Sequence, residues 1–167
     1  MGSSAKMSSL PKLALALALA LLVAVPVAMA AEEPTREEYV AKVEPICKAN
    51  TEANSRILKG VKDQVKQNKL VPAGKRFIRA SSALGRTVTQ ISKVPRPAAD
   101  AAKLTTWIGY LKKEKTFLQQ IGSALKSKDK FHAQKLAVEL NKNNNKANNT
   151  VISFGFDECR IDSSRFI

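Results

Sequence analysis

Histidine and tryptophan each occur once in this 167-residue chain, and tyrosine and cysteine twice each. A lone His132 and two distant cysteines cannot build a zinc finger or a His-rich metal centre, and no Cys-x-x-Cys-His run is present to attach haem. The three methionines are Met1, Met7 and Met29. If the N-terminal leader is removed, no Met remains as an axial ligand, which argues against a b-type cytochrome. The Glu-x-x-His pairs of di-iron bundles are also missing. Gly60, Gly74, Gly85, Gly109 and Gly122 each stand alone, so there is no glycine-rich phosphate loop. Ser81 and Ser82 have no histidine nearby in sequence to activate them. Nothing positive points to an enzyme, and the expectation is a non-enzymatic protein without cofactor or metal.

What is abundant comes first at the N-terminus. Lys6 and Lys12 precede an unbroken apolar run over residues 13–25, followed by Pro26 and the small-x-small triplet Ala28-Met29-Ala30. That order is the layout of a secretory signal peptide, and the run is short for a membrane span. The competing reading is an uncleaved N-terminal anchor. Cleavage after Ala30 makes residues 1–30 the signal peptide and residues 31–167 the mature domain. A lipid anchor is not expected, because no cysteine follows the cut.

The mature chain reads as helix almost throughout, rich in Ala, Leu, Lys, Glu and Gln and without convincing alternation of apolar and polar residues. Four segments are expected. The first covers residues 35–69, opens with the capping box Thr35-x-x-Glu38 and carries Tyr39, Val43, Ile46, Ile57, Val61 and Val65 inward. Pro45 should kink it. The second follows Pro72-Ala73-Gly74 and ends before Pro95, with Phe77, Ser81, Leu84, Val88 and Ile91 inward. The third covers residues 98–126, with Leu104, Trp107, Leu111, Leu118, Ile121 and Leu125 inward. The fourth runs over residues 129–154 from an Asp129 N-cap, through an Asn-rich stretch, to Gly155. A short tail follows. Short connections between long helices favour antiparallel neighbours, so the expected fold is an all-α, up-down-up-down four-helix bundle.

Such a bundle puts Cys47 and Cys159 at the same end although 112 positions separate them. An oxidising compartment would let them persist as a disulfide. In the chain-entropy model, closing a loop of that size stabilises a fold by about 4.7 kcal/mol. A redox role would call for closely spaced cysteines.

Other polar groups have plainer roles. Glu32, Glu33, Glu37 and Glu38 suit the positive end of a helix dipole rather than a catalytic pair. Asn50, Asn54 and Asn144 fall on or beside apolar stripes, where such residues fix register or line a small ligand cavity. Asn148-Asn149-Thr150 is a glycosylation sequon only in a eukaryotic secretory host.

The formal charge is +14, and loss of the leader removes two lysines and no acid, leaving +12. Residues 70–95 hold five bases and no acid, and residues 96–128 hold seven bases and two acids. The two middle helices therefore carry most of the excess. On a helical wheel Arg79, Arg86 and Lys93 fall within roughly 40° of Lys75, opposite Leu84, Val88 and Ile91. Lys112 and Lys113 add charge on the third helix. These six are the candidate anion-binding residues, for an anionic envelope polymer or a membrane surface. Aromatic residues are not interleaved with them, so stacking on single-stranded nucleic acid is not expected, nor sequence-specific recognition.

Three patterns together resemble a family. They are Tyr39-Val40-x-x-Val43-x-x-Ile46-Cys47; Val94-Pro95-x-Pro97-x-x-Asp100 leading to Trp107-Ile108-x-x-Leu111; and Gly155-Phe156-x-x-Cys159. They resemble the uncharacterised small secreted helical-bundle proteins of actinobacteria. The resemblance implies a signal peptide, a helical bundle and paired cysteines, and it supplies no catalytic residues. This chain departs from the pattern in its tail beyond Cys159 and in its Asn-rich fourth helix. The expected function is binding or structural, at the cell envelope, through the basic surface. The alternative is a small-ligand-binding or chaperone-like bundle.

Overall fold

The computed structural model describes residues 1–2 and 33–161. Residues 3–32, which include most of the expected signal peptide, and residues 162–167 of the tail lie outside the described residues. Among those described, every regular element is a helix: α1 (Arg36–Leu58), α2 (Val61–Lys66), α3 (Leu70–Lys93), α4 (Ala101–Lys126) and α5 (Lys130–Thr150). One-turn 3-10 segments, Ala98–Asp100 and Ile152–Phe154, precede α4 and follow α5.

The ends of these helices follow from local chemistry. The Glu38 N–H donates to Thr35 Oγ1 at 3.1 Å, and the Thr35 N–H donates to Glu38 Oε2 at 3.0 Å. That reciprocal pair satisfies two amides a helix start leaves free. At α5, Asp129 Oδ1 accepts the His132 N–H at 2.9 Å. The His132 side chain itself is exposed. Pro72 is the third residue of α3, where its missing N–H costs nothing, so α3 begins before Pro72 rather than after Gly74.

The expected first helix is two. α1 continues helically through Pro45, and the chain breaks instead at Lys59 and Gly60, where Gly60 takes the left-handed φ of 76°. Arg76 of α3 fastens this break: its Nη1 donates to the Ile57 and Lys59 carbonyls at 3.2 and 2.7 Å. The six residues of α2 then lie against α3. The fourth helix also ends early, at Thr150, and a 3-10 turn leads to Gly155 at φ 65°.

The packing runs α1 on α3, α3 on α4, and α4 on α5. Between α3 and α4 the backbones touch. A Cβ on Gly74 would lie 2.5 Å from the Gly122 carbonyl oxygen, and one on Gly122 would lie 2.7 Å from that of Gly74. Farther along, the fully buried Ser81 donates to the Lys115 carbonyl at 2.9 Å, and Gly85 receives the Lys115 stem. Matches that climb α3 thus descend α4.

Direct packing between α1 and α5 is sparse. The segment 151–161 joins them, burying Val151, Phe154, Phe156 and Cys159. Phe156 stacks on the fully buried Trp107 at 5.3 Å between centroids, and on Phe154 at 5.6 Å. Glu44 of α1 accepts the N–H groups of Asp157 and Glu158 at 2.9 and 2.8 Å. On the other side Asn148 of α5 pairs with both the N–H and the carbonyl of Ile161, at 2.8 and 2.9 Å. Arg36 ties the start of α1 to both neighbours. It forms a bidentate pair with Asp100 at 2.8 Å and lies 4.9 Å above the Phe154 ring.

Candidate functional site

Cys47 and Cys159 form a disulfide with Cα atoms 5.0 Å apart, as the topology argument requires. Among the described residues neither cysteine is free for redox chemistry. The bond closes the end of the molecule where the tail crosses α1.

The six basic residues are all exposed. Lys75, Arg79, Arg86 and Lys93 line the outward side of α3, opposite Phe77, Leu84 and Ile91, over about 27 Å at 1.5 Å per residue. None of the six takes part in an ion pair of the described residues. Lys112 is exposed on α4, three residues from Lys115, whose stem lies against Gly85 of α3. Lys113 does not join the α3 stripe. Its ammonium sits 5.6 Å over the Tyr110 ring, on the flank where the Tyr110 carbonyl accepts from Asn143 of α5. Arg76 is likewise occupied, by the α1 carbonyls.

A second feature was expected only in part: Asn50 and Asn54 do line a cavity, Asn144 is not in its lining, and Thr87 and Glu114 were not foreseen there. Beside the disulfide lies a cavity of about 60 Å³, lined by α1, α3, α4 and the tail. Its polar wall is a layer of residues at inward positions: Asn50 and Asn54 from α1, Thr87 from α3 and Glu114 from α4. Asn54 Nδ2 donates to Asn50 Oδ1 at 3.3 Å, and Thr87 Oγ1 donates to the Ala83 carbonyl at 3.3 Å. Asn54 Oδ1 is buried without a partner, and so is the N–H of Trp107, another lining residue. Glu114 has no basic neighbour in the lining, and burial alone pushes its carboxyl up to about 8. The layer therefore holds a neutral acid near pH 7, in contrast to Asp100, whose carboxylate Arg36 holds below its ordinary range.

A signal for this layer exists in the sequence. Trp107, Leu111, Leu118, Ile121 and Leu125 step by four, seven, three and four, and the seven-step has Glu114 where an apolar residue would continue the stripe. Asn50 and Asn54 stand at the matching level of α1.

Among the described residues no helix is long and apolar enough to cross a membrane. Nor do they contain a group of three or more His, Cys, Asp and Glu side chains placed to hold a metal. No protein-family model, curated protein or solved structure matches the chain.

Proposed function

We propose that the protein is an exported, non-enzymatic binding module of the cell envelope, an up-down-up-down four-helix bundle that docks on anionic polymer or anionic lipid through α3. The observation that carries this reading is the unpaired basic stripe. Four bases share one face of α3, residues 70–95 contain no acid, and Lys112 adds an exposed base on α4. Bases left without carboxylate partners keep their charge available to an external anion. Such contacts weaken as salt shortens the screening length to about 10 Å at 0.1 M.

Export is supported by the three-part N-terminal sequence and by the disulfide, which is at home in an oxidising compartment. N-terminal sequencing of the exported protein is expected to begin at Ala31, and an intact Met1 would contradict cleavage.

The docking test is retention on an immobilised polyanion, in parallel with co-sedimentation on anionic vesicles. Binding should fall steeply between low and moderate salt. Changing Arg79, Arg86 and Lys93 together to Glu should abolish it. Unchanged binding after that reversal would refute the role of the stripe, and the vesicle arm separates lipid from polymer.

A further inference from the structure

We infer that the cavity beside the Cys47–Cys159 disulfide binds a small primary ammonium ion with a short alkyl chain, held by Glu114 and Asn54. The argument rests on the lining and is independent of the basic stripe.

The wall holds one unpartnered acceptor, Asn54 Oδ1, and one unpartnered donor, the Trp107 N–H, beside a carboxyl group with no basic partner in the lining. Asn54 is 7% exposed and its Oδ1 has no partner, although each lost hydrogen bond at a buried polar atom is costly. Glu114 supplies a second acceptor, and no Lys, Arg or His lines the cavity. Lys48, which lines the neighbouring surface depression, pairs with Glu158 at 3.7 Å. An anion would meet a carboxyl group and amide oxygens. A neutral hydrocarbon would leave those acceptors unsatisfied. A calcium ion wants six to eight oxygen ligands, and one carboxyl with two amides falls short. An ammonium group meets the requirement, since its three N–H donors match Glu114, Asn54 Oδ1 and Thr87 or Asn50.

The remaining wall accounts for the chain of the ligand. Leu84, Ile91 and Leu111 are apolar, and Trp107 adds an aromatic surface. The volume suits a few waters or a small organic ion, not a sugar or nucleotide. Thr51 and Glu158 line both the cavity and an open depression on the surface of α1, so the two adjoin.

Binding must be coupled to a proton. Burial pushes the Glu114 carboxyl up to about 8, and an arriving ammonium supplies a counter-charge, so Glu114 ionises and its proton leaves to solvent. The groups facing it from the other elements are uncharged side chains and one carboxylate that has a lysine partner. They are Asn50, Thr51 and Asn54 of α1, Leu84, Thr87 and Ile91 of α3, and Glu158 of the tail with Lys48.

The test is calorimetric titration of the disulfide-intact protein with n-butylammonium chloride at pH 6.5 and 8.5, in buffers of different ionisation enthalpy. Saturable one-to-one binding is expected, tighter at pH 8.5, with proton release at pH 6.5. Glu114→Gln and Asn54→Leu should each weaken binding about tenfold or more, since the first removes the counter-charge and the second a buried acceptor. Carbon NMR of the Glu114 carboxyl should show its titration midpoint dropping in saturating amine. The inference is overturned by no saturable heat at millimolar amine, which leaves a wet cavity only. Equal binding of sodium chloride, or undiminished binding by the folded Glu114→Gln variant, would overturn it as well.

Discussion

The two sides of the molecule are closed by different means. The α3–α4 seam relies on small residues: Gly74 against Gly122, Ser81 against a carbonyl and Gly85 against a lysine stem. It needs no covalent help, and it leaves the outer surface free to be basic. The α1–α5 side has little direct helix contact and is held by a disulfide, the Glu44 and Asn148 clasps, and stacked aromatics. The cavity with Glu114 lies beside the disulfide, where α1 and the tail face Leu84, Thr87 and Ile91 of α3 and Trp107, Leu111 and Glu114 of α4. The close contacts around Gly74 and Gly122 thus lie away from the polar cavity, at another level of the same two helices.

Several changes would break or sharpen this contrast. Replacing Cys47 and Cys159 by Ser should cost about 3–5 kcal/mol, read from urea midpoints. Gly122→Val should cost about 3 kcal/mol, because its Cβ would fall on the Gly74 carbonyl and on Ile78. The same seam should accept far smaller losses from changes to its outer charges.

Glu114 gives a pH test. Between its ordinary value of 4.5 and about 8, the unfolded chain is ionised there while the folded one keeps its proton. Stability therefore falls as pH rises through that window and levels off above it. The loss at pH 8 should be about 2 kcal/mol, reduced from full burial because the residue is partly open to solvent. Glu114→Gln should remove the slope, matching the wild type at pH 4.5 and exceeding it at pH 8 in thermal melts.

Smaller effects complete the series. Glu44→Gln weakens two charge-assisted bonds to the tail and should cost about 1–2 kcal/mol while speeding reduction of the disulfide. Lys75, Arg79, Arg86 and Lys93 changed together to Gln should leave melting nearly unmoved, within about 0.5 kcal/mol per surface site.

The sequence made most of the frame readable because helical periodicity and caps are local. The expected inward residues of α3 and α4 are all buried, and Thr35, Glu38 and Asp129 cap as their spacing suggests. The break at Gly60 was hidden because Ile57, Val61 and Val65 keep steps of four across it. Glu114 was hidden because its role depends on what α1 and the tail place opposite it. Ser81 looked like an isolated hydroxyl and is instead a stitch between helices. The Arg36–Asp100 pair spans 64 residues, so no local pattern announces it.

Hydrogen exchange of the native protein, before and after reduction of the disulfide, tests the contrast between the two sides most directly. Protection should drop in α1 and in residues 151–161 on reduction, while amides of α3 and α4 around Gly74, Ser81 and Gly122 keep most of theirs. A uniform loss across all helices would contradict two independently closed sides.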